Sequence, residues 1–159
     1  PHGRGRPQAL DLGGLAEEGE AVGRQRQEAV WAAFRIGTPA ASALFVEALD
    51  HPDPGLRRAA AKALSLRPDP ASEARLLKLA ASDDAALVRS AAEGLGRLRS
   101  RSAVPVLLAK TSKADDAFLE HSLIYALIQI AAPEETRAGL SAPSMETRRA
   151  ALIALDREK

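Results

Sequence analysis

The sequence predicts an all-α solenoid, a row of about four to five stacked helix pairs. Three observations carry that expectation. First, 34 alanines and 22 leucines dominate the 159 residues, against only 11 valines and isoleucines and five aromatics. Alanine and leucine lead the helix scale, whereas strands draw on β-branched and aromatic side chains. Second, one pattern of small and large apolar residues is written five times, with anchors at Phe34, Leu64, Leu95, Leu127 and Leu155. The spacings are 30, 31, 32 and 28 residues, a period of repeat architectures and far too long for a heptad. Third, short polar residues that can accept the free N–H groups of a first helical turn recur in register, at Asp53, Asp84, Asp116 and Ser144.

Taken in order, residues 1–23 fall outside the pattern. Pro7 and the pair Gly13-Gly14 break helices, so this stretch is expected to be a linker or the tail of a preceding domain, with at most a short helix over Leu15 to Val22. The solenoid is expected over residues 24–159. Glu28 to Ile36 is the second helix of a first pair. Thr38-Pro39 and Asp69-Pro70 open the first helices of the next two pairs, since proline suits the first helical turn. Their apolar pairs Phe45-Val46, Leu76-Leu77 and Leu107-Leu108 recur every 31 residues and should face the second helices. Those second helices start near Asp53, Asp84, Asp116 and Ser144. Leu56, Leu87 and Leu119 lie eight residues before their anchors, on the same helical face. Ala60, Ala61, Ala91 and Ala92 allow close helix approach. Pro133 to Leu140 carries Gly139 and has room for one or two turns only.

Composition also excludes chemistry. Without cysteine there is no disulfide, no Cys-ligated zinc, no thiol nucleophile and no CxxCH haem site within these residues. No unbroken apolar stretch exceeds six residues, the length of Leu123 to Ile128, far short of a membrane span. No GxSxG, Walker or dinucleotide motif occurs. The paired acids Asp83-Asp84, Asp115-Asp116 and Glu134-Glu135 recur at turns before helices, which points to capping rather than acid–base work. The chain begins at Pro1 and its single methionine is Met145, so it is expected to be a piece of a longer protein.

The stretch Asp53-Pro54-Gly55-Leu56-Arg57-Arg58-Ala59-Ala60-Ala61-Lys62-Ala63-Leu64 resembles the second-helix consensus of HEAT repeats, in the short subtype named after phycobilisome lyases. The resemblance covers roughly Arg24 to Lys159. It implies a right-handed α-solenoid, and a ladder between turn aspartates (Asp53, Asp84, Asp116) and arginines early in the second helices (Arg58, Arg89, Arg149). Glu28 and His121 depart from the arginine position. Residues 118–156, with Phe118 to Ala131 apolar nearly all round, further resemble the HEAT segment of planctomycete-type multidomain proteins. Those join a dehydrogenase-like β-propeller to a c-type cytochrome module. That likeness implies a scaffold between redox domains in a bacterial protein and an exported or periplasmic location. It transfers no redox residue to this chain.

The expected function is protein interaction or interdomain scaffolding, with no catalytic residue, no cofactor and no metal. Tyr125 aligns with Lys62 and Glu93, positions that are polar in other repeats, so an exposed aromatic is expected there. Such a residue makes a contact anchor. Arg58, Arg89 and Tyr125 are the expected interaction surface, and the expected partner is protein. Trp31 aligns with Ala61, Ala92 and Ile124 and is expected in the core. An alternative uses the basic middle of the chain. Residues 57–114 carry twelve basic and five acidic residues, while the flanking stretches are each at net −3. Arg97, Arg99 and Arg101 would then contact nucleic acid. Against that, phosphate binding gains from stacking aromatics, and none occurs from Leu56 to Ala117. A second alternative is a fragment of a HEAT-type metalloenzyme, for which three histidines, His2, His51 and His121, are too few ligands.

Overall fold

The computed structural model describes residues 12–114 and 116–157. Within them are nine α-helices and no strand. They are α1 (Leu12–Ile36), α2 (Pro39–Ala48), α3 (Pro54–Leu66), α4 (Glu73–Ala80), α5 (Ala85–Leu98), α6 (Val104–Thr111), α7 (Ala117–Ile130), α8 (Pro133–Thr136) and α9 (Met145–Asp156). Helices α1, α3, α5, α7 and α9 pack in that order as one layer, and α2, α4, α6 and α8 form a second layer against them. The architecture is an all-α solenoid: helix α1, without a pair partner before it among the described residues, followed by the pairs α2/α3, α4/α5, α6/α7 and α8/α9.

Each boundary has a local cause. Asp53 Oδ1 accepts from the N–H groups of Gly55 and Leu56 at 2.8 and 3.3 Å. Asp84 Oδ1 does the same for Ala86 and Leu87 at 3.0 and 3.1 Å. Asp116 accepts from Leu119 N at 2.7 Å, and Ser144 Oγ from Thr147 N at 3.2 Å. The four residues at the expected register are thus the N-caps of α3, α5, α7 and α9. Each such cap is worth about 1 kcal/mol. Helix α5 ends with Arg99 in the left-handed region (φ 54°). There the N–H groups of Arg99 and Ser100 close on the carbonyls of Gly96 and Leu95, a turn that usually carries glycine.

Three of the five anchors make the core, while Phe34 and Leu155 are half-buried. Leu64, Leu95 and Leu127 are fully buried, as are Leu76 and Leu107 from the other layer. Burying one leucine contributes about 1.5–3 kcal/mol. Ala60, Ala61, Ala91 and Ala92 are fully buried too, where α3 and α5 meet. The α5–α7 contact is tighter still. A Cβ on Gly96 would lie 3.0 Å from Ala126 Cα and 2.7 Å from Gln129 Oε1.

Two features differ from the expectation. Helix α1 is 25 residues long and runs through residues 12–23, where a linker with a short helix was expected. Leu15, Ala16, Glu17, Glu18, Glu20 and Ala21 are strong helix formers and carry the turn across Gly19 and Gly23. The part of that expected linker at residues 1–11 lies outside the described residues. The first helices of the middle pairs begin with 3-10 turns, Pro70–Ser72 and Arg101–Ala103. Helix α8 has four residues and continues as a 3-10 segment over Arg137–Ser141, within the one or two turns expected there.

Candidate docking face

The second-helix layer has one face turned away from α2, α4, α6 and α8. Two rows of side chains cross it in register. Six residues before each anchor stand Arg58, Arg89, His121 and Arg149. Two before each anchor stand Lys62, Glu93, Tyr125 and Ile153.

On α3 and α5 ion pairs close these rows at Arg58, Lys62 and Glu93 and leave Arg89 open. Arg58 donates from Nε and Nη2 to Asp84 Oδ2 at 3.0 and 2.8 Å. Burial alone would raise the Asp84 carboxyl. The Arg58 hydrogen bond and charge, with the backbone N–H groups of Leu87 and Ala86, outweigh it and hold the group below its ordinary value. Lys62 Nζ donates to Glu93 Oε2 at 2.8 Å. Farther along, Arg67 Nη1 donates to Phe34 O at 2.7 Å with its guanidinium over the Phe34 ring, and Arg97 Nη1 donates to Leu66 O at 3.1 Å. Each of these two cations thus caps the carbonyl end of the preceding second helix.

The pattern changes at α7. Arg89 is exposed and has no hydrogen-bond or ion-pair partner among the described residues. The implied rung from Arg89 to Asp116 is not formed. Arg149 instead pairs with Glu120, one turn along α7. Along α7 itself, Phe118, His121, Tyr125 and Ile128 follow at spacings of three and four, one stripe of a helix. Phe118 is 75% exposed and Tyr125 50%. The His121 and Tyr125 rings stack with centroids 6.3 Å apart and planes 9° from parallel. Beside them His121, Ile124, Tyr125 and Ile128 of α7, Ile153 of α9 and Arg157 at the α9 C-cap line a groove of about 460 Å³.

Of the three residues expected to form the surface, the structure therefore sorts two from one. Arg89 and Tyr125 stand open on neighbouring helices, whereas Arg58 is bound to Asp84. Phe118, Ile153 and Arg157 were not singled out from sequence. Phe118 was findable, since it lies seven residues before Tyr125 in register with Gly55 and Ala86. Ile153 was findable as the residue aligned with Tyr125. Trp31 is half-buried and meets Phe34 edge-on at 5.8 Å.

The alternative arginines are differently occupied. Arg97 holds Leu66 O. Arg101 donates from Nε and Nη2 to the two Glu135 oxygens at 2.9 and 3.0 Å, which lowers the Glu135 carboxyl and raises the Arg101 guanidinium. Arg99 is exposed at the α5 C-cap. Among the described residues no group of three or more His, Asp or Glu side chains is gathered as a metal site would require. No helix there is long and apolar enough to cross a membrane.

Residues 21–95 match the family model of HEAT repeats. An engineered protein of known crystal structure is similar over 86% of this chain and 76% of its own, with a TM-score of 0.56 and 22% identity. At that identity the likeness concerns the fold. No curated protein matches the chain.

Proposed function

We propose that this stack of HEAT-like helix pairs is a protein-interaction scaffold, and that partners bind on the open face of the second-helix layer around Tyr125. HEAT repeats are in general protein-interaction scaffolds, and a fold alone assigns no activity. The reading is carried by one observation: an aromatic stripe stands exposed on α7 where the same register on α3 and α5 carries charged side chains, with Arg58, Lys62 and Glu93 held in ion pairs. Exposed aromatics flanked by aliphatic side chains are the usual anchors of protein contacts. The finer reading, an interdomain spacer between a dehydrogenase-like propeller and a c-type cytochrome, is supported by the sequence likeness of residues 118–156. Its check is the complete reading frame, which should encode a propeller before this segment and a CxxCH motif after it.

A photo-crosslinking amino acid placed at residue 125 of the full-length protein tests the docking site, with residue 62 as the control. Crosslinks to protein at 125 and few at 62 are expected. Crosslinks to nucleic acid, or equal protein crosslinking at both positions, would overturn the assignment. A salt-dependent shift of labelled DNA or RNA that vanishes in the R97A/R99A/R101A triple variant would favour the nucleic-acid reading instead.

A further inference from the structure

Resting on that docking site, we infer the chemistry of what it binds: an acidic protein segment whose apolar side chains enter the α7–α9 groove. The charges around the groove set this. The carboxylates nearby are already engaged. Glu120 is held by Arg149, Glu93 by Lys62, and Glu146 accepts from Ser144 Oγ; Asp116 caps α7. Two cations are left over. Arg89 on α5 and Arg157 at the α9 C-cap flank the aromatic stripe from opposite sides, and neither has a partner among the described residues. Unlike charges across an interface steer encounter and fix register, while like charges there are costly. The floor of the groove is apolar, with Ile124, Ile128 and Ile153 beside the Tyr125 ring. A segment with apolar side chains on one side and carboxylates at the edges satisfies both features. A nucleic-acid backbone does not, because it needs several convergent cations, and here two stand apart across an aliphatic floor.

Four fluorescein-labelled probes test this on the whole chain. One is a 16-residue peptide with Leu and Phe at helical spacing and Glu elsewhere. The second replaces each Glu by Lys, the third replaces each Leu and Phe by Ser, and the fourth is a 16-nucleotide single strand of DNA. Fluorescence anisotropy should show the first binding about tenfold or more tighter than the others. Its affinity should fall about tenfold in Tyr125→Ala and severalfold in Arg89→Glu or Arg157→Glu, and hold in Arg35→Glu, remote from the groove. Arg89→Glu alters an exposed, unpaired side chain, so it reports on binding even if Tyr125→Ala lowers the melting temperature. Equal binding of the basic peptide, with Tyr125 dependence intact, overturns the acidic partner and leaves the docking site standing. Absence of binding by every peptide overturns the proposal, and the crosslinking at residue 125 then judges the docking site by itself. Preference for the DNA strand overturns it as well. So does concentration-dependent self-association in sedimentation that Tyr125→Ala abolishes, because the groove then belongs to a second copy of the chain.

Discussion

Helices α3 and α5 on one side and α7 on the other present the same face in the same register, and they use it in opposite ways. On α3 and α5 the exposed positions are arginine, lysine and glutamate, and the structure spends most of them on itself: Arg58 on Asp84, Lys62 on Glu93, Arg97 on a backbone carbonyl. On α7 they are Phe118, His121 and Tyr125, and nothing in the described chain covers them. The cores beneath are alike, with Leu64, Leu95 and Leu127 all fully buried. The difference teaches that the core sets the fold and the face is free to vary over it. Part-exposed ion pairs contribute only about 0–1 kcal/mol each, so trading them for an aromatic stripe costs the fold little while changing what the surface can hold.

The comparison can be broken where the two regions join. Gly96→Val places a branched side chain against the Ala126 backbone and should destabilise by about 1–3 kcal/mol through overpacking. Chemical denaturation measures this, and a loss below about 0.5 kcal/mol would mean that α5 and α7 are not in the contact described. A smaller effect sharpens the contrast on the paired side. Asp84→Ala removes both a cap and the Arg58 partner, for about 1–2 kcal/mol, while Asp84→Asn keeps an acceptor for the cap and should lose less than half of that. Because the folded Asp84 carboxyl lies below its ordinary value, its contribution is present above the usual carboxylate range and is lost as pH falls through the folded value. Thermal melts from neutral pH downward should therefore converge for wild type and Asp84→Asn in acid. The smallest effect is the most direct comparison. Arg58→Met should cost about 0.2–1 kcal/mol and Arg89→Met close to nothing, though the two residues are equivalent in the repeat. Equal losses would show that Arg89 has a structural partner after all.

Much of this was legible in the sequence because a repeat reports on itself five times. The anchors Leu64, Leu95 and Leu127, the caps Asp53, Asp84, Asp116 and Ser144, and the pairs such as Phe45-Val46 each follow from position within a period. Tyr125 was legible by the same means, as an aromatic where alignment expects charge. Periodicity says nothing, however, about whether two side chains reach each other. Arg58 and Arg89 look identical in the pattern, yet one meets its aspartate and the other does not, since that depends on how neighbouring helices settle after packing. Arg97 belongs with these. A basic turn in sequence, it proves to cap the carbonyl end of α3. The reach of α1 was obscured for another reason. Glycines at 13, 14, 19 and 23 outweighed the helix-forming residues between them when each was weighed locally.

Arg67 and Arg97 tie α1, α3 and α5 together end to end, and Arg149 ties α9 to α7. Between α5 and α7 the described face has no such tie, only the flush contact of Gly96 with Ala126. The α5–α7 joint is therefore held by close apolar packing alone, where the joints on either side add polar ties to theirs. Salt, which screens the Arg58–Asp84 and Arg149–Glu120 pairs, should leave that joint unchanged beneath the stripe that carries Tyr125.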